Sequence, residues 1–473
     1  MRTRPTPLGP VELTRLLLGA LLALALVAPM LPADAVWGIQ WLGFAPLWVQ
    51  LAGAGVVGVA MWPAANRWIR ESGARLLERI PPAARGLLTL AGFAALVTAF
   101  WRLRSRTLYG DGASTIDILT SGGPTMNWKE PLDRFITAHV FRALRGHGWT
   151  AADAIAAVSV AAGAVYLVAV WGLARSLAAT SGARRWVTAF LLTTGAMQLF
   201  FGNVENYSLL GAGIALYLWS GNAYLRGRVP FALPCFVLAC TSWIHLSAPW
   251  LGPTLAVLLV LRVLGEEAAD GAWRARLREG WVADGLRQGL AGTVAAAIPT
   301  AFAVWLGSRV IGSEGGISMG RFGGGDGKLW VPLFEITSPF EKFTMFSLAH
   351  FVAVANEVAL LAGPAAIVCL AWATLGRVGG RGRRREVIFL ASCVAMTLAY
   401  VFFFNPDMAV LNVGILNEWD LFSLPAPPLA ALAAVVLTQV ETDPERRGQA
   451  GLPAVVLAAV LSAAWILHNA RVI

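Results

Sequence analysis

The chain has 473 residues, of which 57% are hydrophobic and only 14% charged, with 20 Trp and a mean hydropathy of +0.64. That composition excludes an ordinary water-soluble enzyme, because apolar stretches of about 20 residues, enough to cross a bilayer, recur along the whole length. The net charge of +10 does not point to nucleic acid, since the arginines sit in short connections between apolar runs, as membrane orientation requires.

In chain order, the first element is ambiguous. MRTRP, the apolar run Leu16–Met30 and the triplet Ala33-Asp34-Ala35 fit a signal peptide with an A-x-A cleavage site or a retained first helix. The run lies at the upper length limit for a signal sequence, which favours the helix. Further apolar runs follow near Phe44–Trp62, Leu87–Trp101, Ala152–Leu173, Trp186–Phe201, Tyr207–Tyr224, Phe231–Ile244 and Leu246–Leu261. The last are Leu290–Val310, Val358–Leu375, Val387–Phe404, Leu421–Val440 and Ala454–Leu467. Read as crossings, these runs predict an all-α integral membrane protein with about 13 transmembrane helices, and residues 1–473 as a single polytopic membrane domain.

Charge assigns the sides. With Arg2 and Arg4 inside, alternate connections collect Arg67, Arg70, Arg75, Arg79 and Arg85, then Arg175, Arg184 and Arg185, then Arg226 and Arg228. The same side receives the Trp273–Arg287 stretch, RGRRR from Arg381 to Arg385, and Arg446 with Arg447. By the positive-inside rule this side is the cytoplasm of a bacterial-type inner membrane. The opposite, outer side gathers the polar material: a first large loop at 102–150, a second at 311–357 and a third at 405–420. The four cysteines, Cys235, Cys240, Cys369 and Cys393, lie inside apolar runs and read as packed helix residues.

The first outer loop carries the sharpest signal. Asp111 stands between two glycines just after an apolar run, so a carboxylate is delivered to the membrane edge on backbone free to turn. A second acid, Asp117, follows. From Pro131 the chain becomes periodic: Leu132, Phe135, Ile136, Val140 and Leu144 fall on one helical face, with Asp133, Arg134, Arg142 and Arg145 off it. Such a helix lies along a membrane surface. Arg102, Arg104 and Arg106 upstream, and Lys129, Arg134 and Arg142 downstream, are an unusual density of cations for an outer loop and suit a phosphate.

Elsewhere on the outer side, Asn203, Glu205 and Asn206 interrupt nearly continuous apolar sequence, and polar groups at membrane depth need partners or a cavity. The stretch SEGGISMGRFGGGDGKLW holds Arg321, Asp326 and Lys328 and reads as a flexible linker or a phosphate contact. The apolar segment after it looks interfacial. NPDMAVLNVGILNEWDLF offers Asp407, Glu418 and Asp420, for capping and pairing or for substrate. His245 and His350 sit at outer ends of apolar runs, where a polar helix-end residue and a substrate contact look alike. With no third His or close acid, no metal ligand is assigned. The candidate set is therefore Asp111 as catalytic residue, with Asp117, Lys129, Glu130, Arg134, Glu205, Asn206, His245, Arg321, His350 and Asp420 as substrate-binding residues.

Tyr109-Gly110-Asp111-Gly112 and the helix from Pro131 to Arg145, set among many crossings with polar residues gathered outside, resemble the GT-C superfamily of membrane glycosyltransferases. That resemblance implies a polyprenyl-phosphate-linked sugar as donor, a glycan, lipid or protein acceptor, an inverting transfer, and Asp111 as the base or orienting acid. No cofactor is assigned, and a divalent cation at the acids stays open. Chemistry leads the same way: nucleotide sugars are cytoplasmic, so an outward-facing transferase needs a donor carried across on a lipid phosphate. One carboxylate can then deprotonate the acceptor hydroxyl. The competing reading is a transporter or flippase for a lipid-linked or anionic solute, with the outer cations as a vestibule; a scaffold protein comes third.

Overall fold

The computed structural model describes residues 9–264, 281–313, 317–318, 328–338, 341–376, 384–405 and 418–472. Their helices are α1 (Pro10–Val27), α2 (Ala33–Val36), α3 (Trp41–Phe44), α4 (Leu47–Met61), α5 (Pro63–Arg79) and α6 (Pro82–Arg102). Next come α7 (Gly112–Thr120), α8 (Pro131–Leu144), α9 (Ala151–Leu177), α10 (Ser181–Leu192), α11 (Ser208–Leu225) and α12 (Ala232–Ile244). The remainder are α13 (Gly252–Leu264), α14 (Trp281–Ser313), α15 (Leu348–Leu375), α16 (Arg384–Phe403), α17 (Ala426–Val435) and α18 (Pro444–Asn469). Two short strands, β1 (Met126–Asn127) and β2 (Ile317–Ser318), pair in parallel and tie the connection between α7 and α8 to the segment after α14.

Local sequence accounts for the helix ends. Thr150 and Asp153 form a reciprocal capping box at α9, Thr180 and Ser347 cap α10 and α15, and Pro stands in the first turn of α1, α5, α6, α8 and α18. Inside α15 the backbone breaks at Ala362, two residues before Pro364, whose ring cannot continue the hydrogen-bond ladder.

All thirteen apolar runs fall on helix, but they differ in length. Among the described residues seven helices are long and apolar enough to cross a membrane, or eight if α4 and α5, bent by 86° at their junction, form one broken span. The difference from thirteen lies in runs that the fold divides and in runs whose helices, α12 and α13 among them, are shorter than the seven. The run Trp186–Phe201 is split between α10 and the 3-10 turn Gly195–Phe200, and Leu421–Val440 between α17 and a π turn at Val436–Val440. The basic connection after the second run, expected to be a loop, is itself the amphipathic helix α5. Its bend is fixed by buried Asn66, whose amide donates to the carbonyls of Ala60 at 2.8 Å and Gly448 at 3.0 Å.

The outer surface of the bundle is apolar: Trp48 is 72% exposed, Leu87 70% and Leu286 69%, and α14 adds Leu290, Val294, Ile298 and Phe302. A protein bathed in water would not leave such helix faces bare, so the chain is an all-α integral membrane protein. Its interior is held by apolar packing and by helix-to-helix hydrogen bonds, such as Tyr217 to Thr254 at 2.6 Å and Asn222 to Ser176 at 2.8 Å.

The loops separate into two sets. Arg67 and Arg70 pair with Glu445, Arg446 with Glu12 and Glu441, Arg226 with Glu386, and Gln439 reaches the Leu177 carbonyl. These are the connections that charge places on one side. The other set is equally joined: Ser105 to Phe201, Arg106 to Asn469, Lys129 to Leu246, and Leu329 to Asn405.

Candidate active site

Asp111 is placed by a chain that is pinned at several points. After α6 the Ser105 N–H donates to the Phe201 carbonyl at 2.7 Å and the Arg106 N–H to Asn469 at 2.8 Å, and the Tyr109 ring packs on Trp465 with centroids 5.7 Å apart. Gly110 takes φ +48, a left-handed turn that glycine tolerates without strain. Gly112 is needed for a different reason. A Cβ there would stand 2.7 Å from the Val204 carbonyl oxygen and 3.8 Å from Glu205 Oε1, so only glycine lets the start of α7 press onto the 203–206 break. Asp111, the N-cap of α7, is thus brought beside Glu205 with its carboxylate exposed and receiving no cap hydrogen bond.

Behind Asp111 stands a wall of buried acids and amides. Glu130 Oε1 accepts from Asn127 at 2.7 Å and from Asn206 at 3.2 Å, and Arg134 Nη2 lies 3.6 Å away. Asp420, fully buried, accepts from the Asn203 amide at 2.8 Å and from the Leu421 N–H at 3.1 Å. Glu205 is buried and its Oε1 meets no donor among the described residues. Burial first, then the charges of Asp420, Asp111, Glu418 and Glu130, push the Glu205 carboxyl well above the ordinary carboxylate range. Asp420 is lifted to about 7 by burial and by Asp111, against the pull of its hydrogen bonds. Burial and Asp111 likewise raise Glu130, with Arg134 and Lys129 opposing. Asp111, Glu130, Glu205 and Asp420, far apart in sequence, therefore act on one another as one electrostatic group.

Of the cations, Lys129 is half-buried and its carbonyl accepts from the Leu246 N–H at 3.0 Å, which carries His245 to the site. His245 Nδ1 accepts from the Ser247 N–H at 3.1 Å, so the ring proton sits on Nε2; burial and the Lys129 charge hold its pKa at about 3, and the ring is neutral. Arg134 is buried, and its Nη2 lies 3.5 Å from Thr115 Oγ1 on α7. The side of α8 that carries Asp133 and Arg134 therefore faces protein, while Arg142 is exposed, Leu132, Phe135 and Val140 are only partly buried and Ile136 is 38% exposed.

The other candidates are placed differently. Asp117 is exposed on α7 and has no ion-pair or hydrogen-bond partner for its side chain among the described residues. His350 donates from Nδ1 to the Met345 carbonyl at 2.8 Å and lies between Phe343 and Phe402, each 4.7 Å away. Arg321, Asp326 and Asp407 lie outside the described residues. Sequence reasoning named Asn203 as part of the break but not as a site residue, and it treated Asp133 as merely off the apolar face. Asp133 is 3% exposed and sits with Glu130 and Arg134. Glu357 on α15 was not singled out for the site; it is fully buried, and neither carboxylate oxygen has a partner among the described residues. Among the described residues no three His, Cys, Asp or Glu side chains are grouped to hold a metal ion.

No protein-family model matches the chain, and no curated protein matches it. Among solved structures it is similar to ArnT from Cupriavidus metallidurans in the apo state, at 14% identity and a TM-score of 0.46, over 82% of this chain and 78% of that one. At that level the likeness concerns the course of the backbone, and no residue role is taken from it.

Proposed function

We propose that the chain is a membrane glycosyltransferase of the GT-C type, moving a sugar from a polyprenyl-phosphate donor to an acceptor hydroxyl at the outer membrane face. The observation that carries this reading is Asp111: a solvent-reachable carboxylate, unshared by any cap bond, at the mouth of a buried wall of acids and amides. Asp111 takes the proton of the acceptor hydroxyl while its oxygen attacks the anomeric carbon, and the lipid phosphate leaves with the bonding pair. Lys129, half-buried, meets the departing phosphate; Arg134, buried beside Glu130, orients that wall rather than the donor. Asn127, Asn203 and Asn206 set the acids in place, and the neutral His245 offers an Nε2 proton donor.

The test is transfer by purified protein from a polyprenyl-phosphate sugar. Asp111→Asn keeps the shape and removes the base, so turnover falls by about 100-fold or more while donor binding persists. Wild-type turnover in that variant removes Asp111 from the chemistry. A transporter or flippase is the second reading, favoured by Glu357, a carboxylate buried within a membrane-length helix and without a partner among the described residues. Uptake of the lipid-linked solute into vesicles without any sugar transfer would put that reading first.

A further inference from the structure

The set of connections that joins Arg70 to Glu445 and Arg226 to Glu386 also contains a cleft of about 540 Å³. It opens where α11 ends and α12 begins, between the ends of α13 and α14, and Arg228, Arg262 and Arg287 line it with Tyr224, Phe231 and Gln288. Helix α11 starts next to Asn206, so its 18 residues put the cleft roughly 27 Å from the acids around Glu205. This cleft has no part in sugar transfer.

Its three arginines stand apart from the paired ones at the same end. None of Arg228, Arg262 and Arg287 has an ion pair or a side-chain hydrogen bond among the described residues. The nearby carboxylate, Asp284, accepts instead from the Gln288 amide at 2.7 Å, and Gln288 in turn accepts from the Tyr224 hydroxyl. Gly227, at φ +67, folds the backbone so tightly that Arg262 Nη2 lies 2.7 Å from where its Cβ would be, so the guanidinium crosses the turn into the cleft. The N-terminus of α12, with no side-chain cap at Phe231, adds the positive end of a helix dipole. Three cations without counter-ions among the described residues, beside the start of α12, call for an anion of phosphate type.

The flanks say how that anion arrives. On the helices that form the cleft, Leu233 and Phe236 of α12 are exposed, and Val260 of α13 with Val282, Leu286 and Leu290 of α14 line a separate apolar groove between those two helices, the kind of surface that lipid chains cover. We propose that the cleft binds the phosphate of an anionic membrane lipid, held by Arg228, Arg262 and Arg287, at the end of the molecule opposite the acids.

The test uses the full chain in detergent, titrated with phosphatidylglycerol or phosphatidylcholine and read by native mass spectrometry. Phosphatidylglycerol is retained in preference to phosphatidylcholine, and the triple variant Arg228→Gln, Arg262→Gln, Arg287→Gln weakens that retention by about 100-fold, as loss of three surface cations implies. The triple Lys variant, which keeps the charges, restores it, and this separates a lost site from a damaged fold. Equal retention of the two lipids by the wild type, or of phosphatidylglycerol by the Gln variant, overturns the proposal. Displacement of the lipid by millimolar inorganic phosphate also overturns it, by assigning the cleft to a soluble anion.

Discussion

At the scale of single residues, the buried acids carry the most consequence. Burial, helped by Glu130 and opposed by Arg134 and Thr137, lifts Asp133 to about 8 from the ordinary 3.8. The folded chain then holds a proton that the unfolded chain has released, so stability falls as pH rises from about 4 to about 8 and the penalty is complete above that window. Asp133→Asn removes the titration. Melting temperature against pH should flatten across the window, with the variant the more stable form at alkaline pH; an unchanged slope would mean that Asp133 is ionised in the fold. Asn203 is the companion case. Its amide is the side-chain donor to buried Asp420, and Asn203→Ala leaves that oxygen unpaired, at a cost of about 1–3 kcal/mol by denaturant or thermal unfolding. Neither residue's weight was legible beforehand: Asp133 belongs to a run whose spacing assigns it to a polar face, and only its neighbours decide whether that face meets water or Glu130.

At the scale of elements, broken helices shape the site more than long ones do. The 3-10 turn Gly195–Phe200 leads into the 203–206 break, and it is seated against α15 through Gly195, where a Cβ would stand 1.9 Å from the Leu360 carbonyl oxygen. That oxygen lies just ahead of the break at Ala362, so an added methyl meets backbone rather than a flexible side chain. Gly195→Ala should cost about 1–3 kcal/mol, in the range of overpacked interiors. Gly19→Ala and Gly55→Ala, where nothing lies within 4 Å, should gain a few tenths to about 1 kcal/mol from helix propensity alone. Equal effects at the three positions, compared by thermal unfolding, would refute the close seating of the turn on α15. Helix α8 shows how far an element can be read from its own sequence. Its extent was legible almost to the residue from Pro131 and the apolar spacing, but the side that the protein buries carries Asp133 and Arg134 rather than the apolar residues.

At the scale of the whole molecule, the arrangement of loops tests the charge-based topology. The basic connections join one another, and the acid-rich ones join one another, as alternating crossings require. In intact cells of a strain expressing a chain without native cysteines, Ser121→Cys should react with an impermeant maleimide and Glu78→Cys should not. Labelling of the second alone would reverse the orientation and put Asp111 in the cytoplasm. What the amino-acid sequence determined unaided was the class of protein and the course of its apolar runs, since hydropathy is a local property that a bilayer reads segment by segment. Tertiary structure decided which runs stay whole, because a break at Thr193 or Ala362 depends on what packs there. It also decided which polar residues meet. Asn203 and Asp420 are 217 positions apart, and Asn206 and Glu130 are 76 apart. No spacing rule links such pairs; for the second, Gly112 admits the Val204 carbonyl and so lets the loop that carries Glu130 settle onto the 203–206 break.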